Sequence, residues 1–195
     1  MSGISRLRRF VTSMTDLVER HPDDEARLLD EGSRALRALI AHDDWLPEPF
    51  ARPSEESYRQ YLLHCDPQER FSVVSFVWGP GQRTPIHDHT VWGMVGVMRG
   101  EERCEEFGDP SRGEPLEKTG EHLVRPGGID LVSPRIGDVH VVSNALADRP
   151  SISIHVYGAN IGTVRRHVYD ARSGESREFV SGYHNWDRGR TNSGY

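Results

Sequence analysis

His87 and His89 stand two residues apart in Pro85-Ile86-His87-Asp88-His89-Thr90, between two strand-like hydrophobic runs. On a strand, residues i and i+2 point to the same face, so the pair is expected to project two imidazoles together, half of a metal site. A further histidine in a β-type run is needed to complete it. His140 supplies one, early in the run that follows the Gly137 turn in Gly137-Asp138-Val139-His140-Val141-Val142-Ser143-Asn144. His87, His89 and His140 would form a neutral three-nitrogen face with about three open positions on an octahedral ion. That ligand set suits Fe(II) and oxygen chemistry, although Zn(II) or Ni(II) also binds three imidazoles.

Something rigid must hold these residues. Ile4, Leu7, Phe10, Val11, Met14, Leu17 and Val18 recur at helical spacing over residues 4–18, and Leu28, Leu29, Ala35, Leu36, Leu39 and Ile40 do so after His21-Pro22-Asp23-Asp24. Both read as amphipathic helices packing one face against a sheet. Trp45 to Ser54 is a proline-rich connection. Short β-type runs then follow: Tyr58–Cys65, Phe71–Trp78, Val91–Met98, Glu102–Phe107, Leu131–Ser133, Val139–Val142, Ile152–Tyr157, Val164–Tyr169 and Glu178–Val180. Glycine and proline turns separate them, and Asp109–Glu121 reads as an exposed polar loop. Many short strands without intervening helices predict an all-β core, a sandwich or barrel.

The 195 residues fit one domain, with residues 1–44 helical, 56–183 forming the β-barrel and 184–195 a polar tail that is either a loose end or a flap. The formal net charge is -6 and no basic stripe alternates with aromatics, which argues against a nucleic-acid partner. No apolar run approaches the roughly 18 residues of a membrane span. Cys65 and Cys104 are too few for a disulfide framework. With no secretory signal read at the N-terminus, a cytoplasmic location is expected. The oligomeric state is open.

Gly81, His87, His89 and Gly100 match the first cupin motif, and Gly137, His140 and Asn144 the heart of the second. The chain thus resembles the cupin superfamily, which implies a double-stranded β-helix (jelly-roll) barrel with the N-terminal α-helices packed outside and a metal in its mouth. The glutamate expected three or four residues after the second histidine is absent; the next residues are Thr90, Val91, Trp92 and Gly93. A three-histidine cupin of this kind is similar to the thiol dioxygenases of the cysteine dioxygenase type I family. Ser153, His155 and Tyr157 alternate in Ser153-Ile154-His155-Val156-Tyr157 and share a strand face. The resemblance assigns them a hydrogen-bonded relay ending at the tyrosine hydroxyl.

The resemblance implies Fe(II), one per chain, held by His87, His89 and His140, with a small thiol carboxylate and O2 as reactants and a sulfinic acid as product. Gly93 stands where mammalian-type relatives carry a cysteine joined to the tyrosine, so no crosslink to Tyr157 is expected. Gln60 stands where eukaryotic-type relatives carry a carboxylate-binding arginine, with Arg59 on the opposite face. Gln60 and Gly93 together look like the bacterial 3-mercaptopropionate dioxygenases. Gln60, Arg166 and Tyr157 are then the candidate substrate-binding residues, with 3-mercaptopropionate the preferred substrate and L-cysteine the alternative. A non-catalytic metal-dependent cupin binding or sensor module is the further alternative, although the relay is a feature a mere binder does not require. Asp88 is read as a turn or supporting residue, Trp78 and Trp92 as wall or core, and His21, His42, His64, His122, His167 and His184 as structural.

Overall fold

A computed structural model describes residues 3–110 and 115–186. Among these described residues, two helices, α1 (Gly3–Arg20) and α2 (Glu25–Ile40), precede eleven strands. Asp24 caps α2, its carboxylate accepting the Arg27 N–H at 3.1 Å, which satisfies one of the donors a helix start leaves free. A short 3-10 turn, Glu48–Phe50, interrupts the connection. No helix among the described residues is long and apolar enough to cross a membrane.

The strands are β1 (Arg59–Cys65), β2 (Ser72–Trp78), β3 (Ile86–His87), β4 (Gly93–Arg99), β5 (Glu102–Phe107), β6 (Lys118–Val124), β7 (Ile129–Val132), β8 (His140–Asn144), β9 (Ser151–Tyr157), β10 (Arg166–Tyr169) and β11 (Ser176–Phe179). They form two sheets, ordered β1-β2-β9-β4-β7 and β11-β10-β3-β8-β5-β6, in which neighbouring strands pair antiparallel. This is the two-sheet jelly roll of the double-stranded β-helix.

The central strands β2, β9 and β4 of the first sheet are buried on both faces, and alternation divides their residues. Val73, Val77, Met94, Ile152, Ile154 and Val156 join Met14, Leu36 and Ile40 of the helices in one core. Val74, Phe76, Trp78, Val132, Val142 and Tyr157 form a second core between the sheets. Each fully buried aliphatic or aromatic side chain contributes about 1.5–3 kcal/mol. The helices thus cover the outer face and leave the inner face of β9 free for Ser153, His155 and Tyr157.

Two sequence expectations need correction. The segment expected to be a loop through Glu121 contains β6. Its residues are mostly exposed and lack apolar alternation, so no pattern marks it; backbone pairing to β5 and the Lys118–Glu105 ion pair hold it at the sheet edge. His89 lies outside any strand, because β3 ends at His87 and Thr90 takes φ +60°. The tail begins by pairing with β1: His184 Nδ1 accepts the Gln60 N–H at 2.9 Å and Asn185 Oδ1 accepts the Leu62 N–H at 2.8 Å. Residues 187–195 of the expected tail lie outside the described residues.

Candidate metal centre and its cavity

His87 and His140 are direct partners across the β3–β8 ladder. His89 reaches them from the turn that follows. Their ring centroids lie 4.8 Å (His87–His89), 4.9 Å (His87–His140) and 4.9 Å (His89–His140) apart, and all three residues are buried. The three form a group able to hold a metal ion.

Each imidazole is engaged at Nδ1. His87 Nδ1 lies 3.2 Å from the Pro85 carbonyl, His89 Nδ1 2.9 Å from Asp138 Oδ1, and His140 Nδ1 3.5 Å from Cys104 Sγ. With Nδ1 as the donor, Nε2 of each ring keeps its lone pair, the form an imidazole needs to ligate. Burial, then the neighbouring histidines, depresses His87 to about 3 and holds His140 well below the ordinary histidine value. At these two positions the fold already favours the neutral ring that metal binding requires, and the residues present fit the ion that the chemistry of the set suggests.

Asp138 shapes the turn as well as the ring. Its Oδ2 accepts the backbone N–H groups of His89 and Thr90 at 3.0 and 2.9 Å. Burial opposes its charge, yet the His89 and backbone hydrogen bonds outweigh that and hold the carboxyl below its usual range. This one side chain accounts for how His89 converges without a strand to carry it. Asp88 is a clasp on the other side: its carboxylate accepts from the backbone N–H of His167 and from the Tyr169 hydroxyl, both at 2.7 Å, tying the His87 segment to β10.

The imidazoles open into a cavity of about 210 Å³ that also meets Tyr58, Gln60, Trp78, His155, Tyr157 and Arg166. Tyr157 stacks on His89 with centroids 5.3 Å apart. Ser153 Oγ is 2.8 Å from His155 Nε2, and His155 Nδ1 is 2.8 Å from the Tyr157 hydroxyl. Phe76 stacks on His155 at 3.9 Å and fixes its plane. Trp78 Nε1–H donates to Ser153 Oγ at 3.3 Å. Indole can only donate, so the serine accepts there and its own proton is free to point at His155 Nε2. His155 then donates from Nδ1 to Tyr157, whose O–H is left to point into the cavity. Burial keeps His155 neutral and pushes the Tyr157 phenol up, so it stays a donor.

Arg166 is buried, whereas Arg165 beside it is exposed and pairs with Glu178. The Arg166 guanidinium donates to Ser181 Oγ at 2.7 Å and lies 4.7 Å over the Phe179 ring, while its Nε has no hydrogen-bond partner among the described residues. Gln60 Oε1 is likewise buried without one. Arg59, one step along, instead faces Ser54 and Glu56.

Sequence reasoning left Asp138, Tyr58 and the Trp78 donor without roles. Alternation with Gln60 could have marked Tyr58, and an acid two residues before His140 could have marked Asp138. Glu102 was also unmarked. It is almost fully buried and lies against Ser153, Ser151 and Trp78. Burial pushes its carboxyl up to about 8, so it is neutral at pH 7. Cys65 and Cys104 are both free thiols; Cys104 is buried, and burial together with nearby Asp130 and Glu106 pushes its thiol up.

A family model for cysteine dioxygenase type I matches residues 42–172, more than half of the chain. Cysteine dioxygenase type 1 of Bos taurus is 26% identical over 117 residues, covering 59% of this chain and 57% of its own length. The Danio rerio protein is 24% identical over 134 residues, with coverages of 67% and 64%. The matches thus span little more than half the length of these relatives. Among solved structures, a conserved protein with a double-stranded β-helix domain from Klebsiella pneumoniae is 20% identical, with a TM-score of 0.47 over 61% of this chain and 93% of its own. A cupin 2 domain-containing protein from Halorhodospira halophila is 19% identical, with a TM-score of 0.46 over 67% and 81%.

Proposed function

Because the chain belongs to the cysteine dioxygenase type I family, we propose that it is a mononuclear non-haem iron thiol dioxygenase acting on a small thiol carboxylate, with 3-mercaptopropionate preferred over L-cysteine. The observation that carries this reading is the convergence of three buried imidazoles and the Ser153–His155–Tyr157 relay on one cavity. In the reaction, thiol and O2 combine to give a sulfinic acid. Both oxygen atoms end on sulfur, which loses the four electrons that dioxygen gains, so no external reductant is needed.

His87, His89 and His140 would hold one Fe(II) per chain. Bound iron supplies a Lewis-acidic, redox-active centre with open positions for the reactants. The protein's own contribution is placement. Arg166 binds the substrate carboxylate: it is a buried cation with an unused Nε donor, and a bound anion offsets the cost of burying it. Gln60 donates a further hydrogen bond from its amide. Tyr157 directs its hydroxyl proton to the reacting end, held in line by His155 and Ser153. Trp78 and Phe76 wall the cavity and exclude water from it.

The preference for 3-mercaptopropionate has its own support. Among the described residues, those lining the cavity include arginines but no aspartate or glutamate. A thiol carboxylate without an amine meets complementary charge there. The ammonium of cysteine would enter a cavity of like sign with no acid to pair it, which is costly.

The test is oxygen uptake after anaerobic loading with ferrous iron, using 3-mercaptopropionate, L-cysteine and cysteamine, which has an amine and no carboxylate. Turnover is expected to fall in that order. Absence of uptake with all three would remove the enzyme reading. Faster turnover of cysteine would remove only the substrate preference.

A further inference from the structure

Behind His140, on the side away from the relay, lies a second cavity of about 280 Å³. Cys104, His122 and Asp130 line it, and their Sγ, imidazole nitrogen and carboxylate oxygen all lie within 4.8 Å of one another. The fold brings them together from three strands. Cys104 and His122 are direct partners across the β5–β6 ladder, so their side chains share a face. Asp130 comes from β7 of the other sheet, with its Oδ2 2.7 Å from His122 Nε2.

We propose that Cys104, His122 and Asp130 form a second metal site, of zinc type, separate from the three-histidine centre. One thiolate, one imidazole and one carboxylate are the donors zinc takes, with bonds of about 2.0–2.3 Å in tetrahedral geometry. Donors so bound stand about 3–4 Å apart, so small rotations of the partly exposed His122 and Asp130 side chains close the present spacing. A water completes the set, and Glu106, whose Oε1 is 3.5 Å from His122 Nδ1, orients the ring from its other nitrogen. The charge is complementary as well. Glu106, Asp130 and Asp138 line the cavity, and no lysine or arginine among the described residues does. A divalent ion replaces the thiol proton, which passes to solvent, and the carboxylates that disfavour a bare thiolate then favour the pair. The softness of the thiolate separates the two centres: this one favours zinc, the all-imidazole one suits iron. Cys104 Sγ also lies 3.5 Å from His140 Nδ1, one contact from the first centre.

The experiment is anaerobic titration of the full chain with Co(II) in a phosphine reductant, following the near-ultraviolet thiolate-to-cobalt charge-transfer band. We expect a band equivalent to one thiolate-bound ion per chain, which Zn(II) bleaches. It should persist in His87→Ala/His89→Ala, where the first centre is dismantled, and vanish in Cys104→Ser. His122→Gln and Asp130→Asn, at partly exposed positions, should weaken cobalt binding by more than about a hundredfold, beyond what loss of an outer hydrogen bond does. These two keep the test decisive if Cys104→Ser perturbs folding. Absence of the band at saturating cobalt would overturn the proposal. So would a band that survives Cys104→Ser, which would report Cys65, or one lost with the two histidines.

Discussion

A Cβ built on Gly93 would lie 2.6 Å from Cδ1 of Tyr157, its partner across the β4–β9 ladder. The catalytic tyrosine of the proposed reaction therefore occupies the space a side chain at position 93 would need. Gly93 offers neither the glutamate of the general cupin motif nor a sulfur for a crosslink; it offers room. Gly93→Ala is expected to cost about 1–3 kcal/mol of stability, the usual range for overpacking, and to lower kcat with iron content unchanged. Thermal unfolding and iron analysis of the variant check both. An alanine variant with native stability and turnover would show that Tyr157 can shift freely.

Asp138 holds the His89 ring and the turn behind it with three hydrogen bonds. Asp138→Asn keeps the shape and loses the charged acceptor. Iron affinity should fall about ten- to a hundredfold, as for other partners of ligating histidines. Competition with a chromogenic chelator measures it, and an unchanged affinity would leave Asp138 a turn residue only.

Tyr157→Phe removes the hydroxyl and leaves the His155 Nδ1–H without its acceptor. The expected result is a kcat loss on the order of 10²-fold, comparable to removing one preorganised donor. Iron affinity should be preserved, because Tyr157 is not among the ligating group. Loss of iron in step with activity would instead make the tyrosine a support for the metal centre.

The legibility of the chain in its sequence follows a physical divide. Elements that bury a periodic face were readable: both helices and the alternation of β9 follow directly from the spacing of apolar residues. His87, His89 and His140 were readable because a ligand set needs particular residue types at fixed offsets. β6 was not, since an edge strand held by backbone pairing and surface charges has no apolar pattern. His89 outside a strand was not, since its placement depends on Asp138, 49 residues away. Glu102 was not, because a lone acid in a charged stretch gives no sign that its strand will carry it into the interior.

Glu102 makes a prediction about pH. Folded, it keeps its proton up to about pH 8, whereas an ordinary glutamate releases it near 4.5. Between those values the folded state binds the extra proton, so this group's contribution to stability is present in acid and is lost as pH rises. The buried His87, His140 and His155 act oppositely: they lower stability of the metal-free chain only below about pH 6.5. Denaturant unfolding of the metal-free chain between about pH 6.5 and 8 should thus show stability declining by at most roughly 1.4 kcal/mol per pH unit from this source. Glu102→Gln, which does not titrate, should flatten that decline. Parallel curves for the two proteins would show that Glu102 ionises normally.

The most direct measurement is the fate of labelled dioxygen. The iron-loaded protein is given 3-mercaptopropionate under 18O2, and the product is weighed by mass spectrometry. The account predicts a sulfinic acid carrying both labelled oxygen atoms, with one O2 consumed per thiol. Disulfide or peroxide in place of labelled sulfinate, or a sulfinate drawing an oxygen atom from water, would contradict it.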